Sequence, residues 1–379
     1  MSFEVRRVGK NRSDRKAFIR LLWDLYEGDP NWVPPLIFAQ EELVGFRKHP
    51  YYDVNRVECF IAVKDGQTVG RIAAHTNVAH NERYEENRGF FGFFECIDDQ
   101  EIANALFREA ALYHKNENGL SDIRGPINPS LNYEVGTLVE GFNSPPTFMM
   151  TYNQDYHDRL IKGFGFEKKE DLFAFEGHID MLATLDPKLQ FVVDELRRRF
   201  NVSVRPFDTK NFMSDVELFL DIYNKSLVAT WGFVPLTPSE VRHQAKALKH
   251  LLLPELSTFI EVDGKPIGAG LGLMDYNQII KKIDGRLFPF GFIKLMRNKR
   301  KLDRVRLMSA NVLPEFQKWG FGLLALERML DDVLKLGIKH GEFSWVLESN
   351  HLSRGTLERS GLERSKTYRV YDRSLSDIS

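Results

Sequence analysis

A hairpin that occurs twice constrains this chain more than any other feature. Phe60–Ala74 sets two runs of β-branched and apolar residues around Asp65-Gly66. Asp-Gly readily supplies the left-handed pair that a tight hairpin turn demands. Phe259–Leu273 repeats the same order of apolar, turn and glycine positions around Asp263-Gly264. Phe60 and Phe259 are 199 positions apart, Gly70 and Gly268 are 198 apart, and Gly165-Phe166 precedes Gly361-Leu362 by 196. Three landmarks at nearly one offset argue for a duplicated domain.

Each half then reads in the same order: helical material, hairpin, a further strand, a long helix, a strand, a short helix ending in Gly-apolar, and a last strand. A first helix is expected over 13–28, with Ser13 or Asp14 as its N-cap. The long helices are expected at about Glu101–Asn116 and Gly322–Leu336, where apolar residues recur at helical spacing. This mixture predicts an α+β (mixed α/β) layer fold in two domains, 1–180 and 181–379, each a mixed central sheet flanked by helices. A chain of 379 residues exceeds the usual single core, which agrees with two. The boundary is expected between Gly177 and Pro187, after the strand Leu172–Glu176. The halves differ by insertions, near 126–150 in the first and near 275–303 in the second. Loops longer than the compact norm tend to carry function, so both are candidate substrate-side or membrane-side elements.

Val312–Leu324 leaves a strand, passes two glycines and opens the second long helix. The first N–H groups of a helix have no internal partners, the helix dipole places partial positive charge there, and glycine lets an anion approach closely. The stretch is therefore a candidate phosphate cradle. Its pattern, Val312-x-Pro314-x-x-Gln317-x-x-Gly320-x-Gly322, resembles the pyrophosphate-binding motif of the GCN5-related N-acetyltransferase (GNAT) superfamily. The resemblance implies two tandem GNAT-like domains and a donor substrate that is acetyl-CoA or another acyl-CoA. It assigns cofactor contacts to Val312, Gln317, Lys318, Trp319, Gly320, Phe321 and Gly322, and to Asn350 before the helix that Gly361 closes. In the first half the matching turn, Ile97–Ile102, has no glycine and three carboxylates, which would repel a pyrophosphate. That half is expected to be a degenerate domain without the CoA motif.

The family's usual general acid, a Tyr four residues before the Gly-apolar pair, falls on Leu357. Tyr368 and Tyr371 on the last strand are substitutes, against a plain packing role. N-acyl transfer needs a neutral amine and hence a base. Glu348 is the first candidate and Glu261 the second, each set against a solvated strand carboxylate. The polar stretch 125–157 offers Asn132, Glu134, Asn153 and Tyr156 as substrate contacts, against a role in satisfying its own backbone. Cys59 and Cys96 are too few for a disulfide framework, and no His spacing suits a metal, so no metal is expected.

A net charge of −1 gives no general attraction to nucleic acid. Residues 279–306 depart from that balance, with ten Lys or Arg, two Asp and interspersed Phe, Ile and Leu. They suggest a peripheral membrane contact, an acidic partner or the adenosine phosphate of coenzyme A, against a packed and solvated loop. The N-terminus lacks an apolar signal core and no apolar run approaches the roughly 18 residues of a membrane span, so a cytoplasmic location is expected. The oligomeric state is left open. The function expected is acyl-CoA-dependent N-acyl transfer, with acetyl as first choice, to a primary amine of a small molecule. The alternatives are a CoA-binding or interaction protein that has lost catalysis, and a tandem-GNAT aminoacyl or peptidyl transferase.

Overall fold

In the computed structural model, which describes residues 2–184 and 187–378, the chain opens with strand β1 (Phe3–Arg7) and helix α1 (Arg12–Leu25). The helix is capped by Asn11, whose side chain accepts from the Ser13 N–H at 2.9 Å, and not by Ser13 or Asp14. Asp14 is instead paired with the Arg6 guanidinium at 2.9 and 3.1 Å, which leaves its carboxylate no part in capping. Then follow α2 (Ile37–Leu43), β2 (Val57–Lys64), β3 (Gln67–His75), α3 (Val78–Tyr84), β4 (Arg88–Cys96) and α4 (Gln100–Leu112). The first half continues with β5 (Asp122–Gly125), β6 (Ile127–Asn128), β7 (Glu134–Val135), β8 (Thr137–Glu140), α5 (His157–Gly163) and β9 (Glu167–His178).

The second half runs α6 (Pro187–Arg199), β10 (Val202–Arg205), α7 (Phe212–Ser226), α8 (Pro238–Leu248), β11 (Ser257–Val262) and β12 (Lys265–Met274). The insertion holds α9 (Asn277–Ile280) and α10 (Gly291–Asn298); β13 (Arg304–Val312), α11 (Gly322–Lys335), β14 (His340–Leu347), α12 (His351–Arg359) and β15 (Glu363–Ser374) complete the chain. No helix among the described residues is long and apolar enough to cross a membrane.

The duplication extends to irregularities of register. In β2–β3, Ala62 faces Gly70 and Val63 faces Thr68; in β11–β12, Ile260 faces Gly268 and Glu261 faces Pro266. The same bulge thus sits at equivalent positions of both hairpins. Both turns are built as the Asp-Gly pairs demand, with φ of 52° and 78° at Asp65 and Gly66 and 52° and 72° at Asp263 and Gly264.

The chain forms two compact units that cut it differently from the sequence halves 1–180 and 181–379. One contains Met1–Leu172, Ile280–Gly291 and Lys366–Ser379; the other contains Phe173–Ile279 and Phe292–Ser365. The boundary expected between Gly177 and Pro187 lies partly outside the described residues. In the first unit β1 to β4 pair antiparallel in order, β4 pairs β5 in parallel, and β5 and β8 both pair β15 antiparallel. The chain's last strand therefore lies in the first unit's sheet, whereas the sequence order suggested that each half closes with its own. Side chains account for the match. Arg124 binds Asp372 through two nitrogens at 2.7 and 2.8 Å, Arg369 binds Asp171 at 2.7 and 2.9 Å, and Tyr368, Val370 and Tyr371 are fully buried.

In the second unit β10 to β13 pair antiparallel in order and β13 pairs β14 in parallel. The apolar face of α11 (Leu324, Ala325, Met329) packs with Ile260, Val262, Ile267 and Val312, just as Ile102, Leu106 and Phe107 of α4 pack with Phe60, Ile72 and Phe91.

Candidate functional site

The second unit is open where its two parallel strands meet. β13 pairs β12 along its length, from Val312 opposite Gly268 to Val305 opposite Met274, with a register shift between Ser309 and Leu307. Toward β14 it is paired only from Arg304 with His340 to Leu307 with Phe343, although β13 runs on to Val312 and β14 to Leu347. The bulge turns the remaining stretch of β13 away and leaves residues 308–312 with an open edge. The Leu313 N–H donates to the Ile267 carbonyl at 2.8 Å, so by alternation Val312 presents its N–H and C=O to that open edge.

The turn that follows is held from inside the fold. Gln317 Nε2 donates to the Val312 carbonyl at 3.0 Å and to the Ser226 carbonyl at 3.1 Å. The amide NH2 group of Gln317, a residue expected among the cofactor contacts, thus fixes the strand end. Phe321, also expected as a contact, is fully buried between Phe316 and Phe200, with ring centroids 5.6 and 5.3 Å away. Trp319 meets Phe200 in a T-shaped pair, ring centroids 5.3 Å apart, and stays 46% exposed, and Lys318 is exposed. Gly320 has φ of +87°, the left-handed conformation that starts α11 where it does. Around Gly322 a Cβ would meet no atom within 4 Å. Among the described residues no side chain caps α11, so no carboxylate or hydroxyl of the chain meets its positive end.

The twin helix in the first unit is different. Asp99 caps α4, its Oδ1 accepting from the Glu101 N–H at 3.0 Å and the Ile102 N–H at 3.3 Å. A carboxylate of the chain already occupies the place of an anion. The first unit's parallel strands also part, pairing only from Arg88–Phe90 to Asp122–Arg124. There the β6–β7 hairpin fills the gap. Asn128 Oδ1 accepts from the Phe93 N–H at 2.7 Å, and His75 Nε2 meets the Ile127 carbonyl at 2.8 Å. A Cβ at Gly92 would lie 2.2 Å from that carbonyl, so glycine permits the approach.

The substrate residues expected from sequence fall in this first unit. Asn132 donates its N–H to Ser130 Oγ at 3.2 Å, and Glu134 accepts from Asn128 Nδ2 at 3.3 Å, its pKa raised by burial. Asn153 clamps Leu138 through bonds to its N–H and carbonyl at 2.6 and 3.1 Å, and the Tyr156 hydroxyl donates to the Cys96 carbonyl at 2.9 Å. Tyr368 and Tyr371 belong to the same unit and are buried, with Tyr371 donating to Asp158 at 2.5 Å.

In the second unit β14 ends at Leu347, so Glu348 and Asn350 lie in the turn and cap that follow. Asn350 Oδ1 caps α12 by accepting from the Ser353 N–H at 3.1 Å, which leaves Nδ2 as its donor. The Glu348 carbonyl accepts from Arg354 at 3.1 Å. Sequence reasoning missed a buried polar cluster beside these residues. Arg306 and Glu342 face each other in register where the strands begin to part, and both are buried, as is Ser344. Arg306 Nε donates to Ser344 Oγ at 2.8 Å and Nη2 to the Ser344 carbonyl at 3.1 Å, while Ser344 Oγ donates to Glu342. The alternation Glu342-x-Ser344 on an otherwise apolar strand was the available signal. Among the described residues no group of three or more His, Cys, Asp or Glu is placed to hold a metal.

No family model matches the chain. Protein YghO of Escherichia coli (strain K12) is 34% identical over 371 residues, 96% of this chain and 94% of that one. The bacterial ceramide synthase of Caulobacter vibrioides (strain NA1000 / CB15N) is 32% identical over 377 residues, 97% and 96% of the two chains. Among solved structures, a tandem GNAT protein from the clavulanic acid biosynthesis pathway matches with a TM-score of 0.58 at 12% identity, covering 100% of both chains. A GCN5-related N-acetyltransferase from Sphaerobacter thermophilus matches at 0.54 and 12%, covering 98% and 96%. The chain belongs to the family of YghO and the Caulobacter bacterial ceramide synthase, and carries in tandem the fold of the GCN5-related N-acetyltransferases.

Proposed function

We propose that the second unit binds acyl-CoA and transfers the acyl group to a primary amine. One observation carries the reading: α11 begins at an uncapped glycine turn beside parted strands, while its twin α4 begins at Asp99. The N–H groups from Gly320 to Gly322, with Lys318 nearby, would hold the pyrophosphate. The Val312 N–H and Asn350 Nδ2 would hold the amides of the pantetheine arm. Glu348 would take the proton as the amine nitrogen attacks the thioester carbonyl and the C–S bond breaks. A thiol of ordinary pKa, about 8.5, leaves as thiolate without great cost near neutrality, so Leu357 in place of a tyrosine does not forbid transfer.

A ceramide is the amide of a long-chain amino alcohol. The name of the Caulobacter relative thus supports N-acylation and favours a lipid-like amino alcohol over a small polar amine as acceptor. The test pairs isothermal titration of acetyl-, octanoyl- and hexadecanoyl-CoA with thiol release across an amine panel that includes long-chain amino alcohols. The reading expects binding and amine-dependent thiol release. Absence of binding at millimolar donor sinks it, and binding without thiol release for any amine favours a CoA-binding protein that has lost transfer.

A further inference from the structure

The stretch Arg286–Lys301 carries an exposed apolar surface that the acyl-transfer reading does not use. Phe288 is 78% exposed, Phe290 67%, Phe292 41% and Ile293 50%. Neighbours in this run are one or two residues apart, so the backbone alone keeps them within roughly 7 Å of each other. Four large apolar side chains held in solvent within six residues cost free energy unless something covers them.

Their surroundings show what kind of cover fits. Arg286, Lys294, Arg297, Arg300 and Lys301 are exposed in the same stretch. Arg286 and Arg300 reach carboxylates, Asp284 at 3.4 Å and Glu255 at 2.9 Å. Among the described residues Lys294, Arg297 and Lys301 make no ion pair. The two acids of the region are turned to the protein, Asp284 accepting from Trp23 Nε1 at 2.6 Å and Asp303 from Gln278 Nε2 at 3.1 Å. In α10, Leu295 is buried while Phe292, Ile293, Lys294 and Arg297 face solvent, so apolar and cationic groups share the outward side.

We propose that Arg286–Lys301 docks the protein on an anionic lipid surface. Phenylalanine and isoleucine enter the headgroup region, and the unpaired lysines and arginine meet lipid phosphates. A bilayer suits this pattern better than a folded protein does. Phe288, Phe290, Phe292 and Ile293 stand exposed, with Arg286 before them and Lys294 and Arg297 after them, the pairing of apolar and cationic side chains that an anionic headgroup layer takes up. The proposal rests on exposure and charge and stands independently of the acyl-transfer reading.

The test is co-sedimentation of the full chain with vesicles of phosphatidylcholine alone or with about a third phosphatidylglycerol. The wild-type protein sediments with the anionic vesicles, and partitioning weakens as salt rises. Phe288→Ser with Phe290→Ser lowers partitioning about tenfold or more, and Lys294→Glu with Arg297→Glu lowers it about thirtyfold or more. These positions are exposed, so melting curves of both variants stay at the wild-type value. Thiol release with a detergent-solubilised amine also stays unchanged, which separates failure at the membrane from failure of catalysis. Wild-type protein that stays in the supernatant with anionic vesicles overturns the proposal, and an element built for an acidic protein gives that result. Variants that sediment like wild type overturn it as well.

Discussion

Gly322 and Asp99 stand at the starts of corresponding helices, and the contrast between them can be tested by one substitution. Gly322→Asp places a carboxylate in open space at the first turn of α11, where the helix dipole favours it. Stability should hold or rise by a few tenths of a kcal/mol, while acyl-CoA affinity should fall about 100-fold or more because the new charge competes with and repels the pyrophosphate. Calorimetry beside a thermal melt checks both, and affinity within threefold of wild type would move the donor site elsewhere. Glu95 offers a second test. Burial raises its carboxyl to about 7, against the pull of the Arg71 charge and of the Tyr26 hydroxyl that donates to it at 2.7 Å. A raised acid contributes stability that is whole below its unfolded value near 4.5 and is lost as pH rises to 7, about 3 kcal/mol in all. His157, whose Nε2 lies 3.9 Å from Glu95, is pushed down to about 4 by burial and works oppositely, costing stability as pH falls below 6.5. Melts of Glu95→Gln from pH 5 to 8 should lack the decline seen in wild type on the alkaline side. Parallel curves for the two proteins would remove Glu95 from the account.

At the scale of elements, what was legible in the sequence was local. The doubled hairpin is written in Asp-Gly pairs and alternating strands, the long helices in their apolar spacing, and the glycine turn in Gly320 and Gly322. What was not legible depends on distant partners. The pairing of β15 with β5 and β8 follows from Arg124 meeting Asp372 across 248 residues, which no window of sequence reveals. Gln317 reads as a motif residue, yet its amide is bound to Val312 and Ser226. Arg306 reads as part of the basic stretch 279–306, yet it and Glu342 are buried where two strands part. Tyr371 tests the placement of β15. Its hydroxyl donates to Asp158, so Tyr371→Phe should destabilise the protein by about 2 kcal/mol, as expected for a buried bond to a carboxylate. The transfer rate, measured by thiol release, should remain within twofold. A rate loss of 100-fold with unchanged stability would restore Tyr371 as the proton donor.

At the scale of the molecule, the two units repeat one fold, and among the described residues the first is filled where the second is not. In the first, the gap between β4 and β5 is filled by Ile127 and Asn128, and the start of α4 is closed by Asp99. In the second, among the described residues β13 is not paired with β14 from residue 308 to Val312, and α11 starts without a side-chain cap. Duplication followed by filling of one site predicts one acyl-CoA per chain, not two. Titration calorimetry with a non-transferable acyl-CoA analogue should give a stoichiometry near one, and Gly322→Asp should abolish that single isotherm without exposing a second. Asp99→Gly, which frees the start of α4, should leave the stoichiometry at one, because the β6–β7 hairpin still fills the neighbouring gap. A stoichiometry of two in the wild-type protein would show that the first unit admits the donor despite its carboxylate. In that case the contrast between the two helix starts would no longer explain where the chemistry resides.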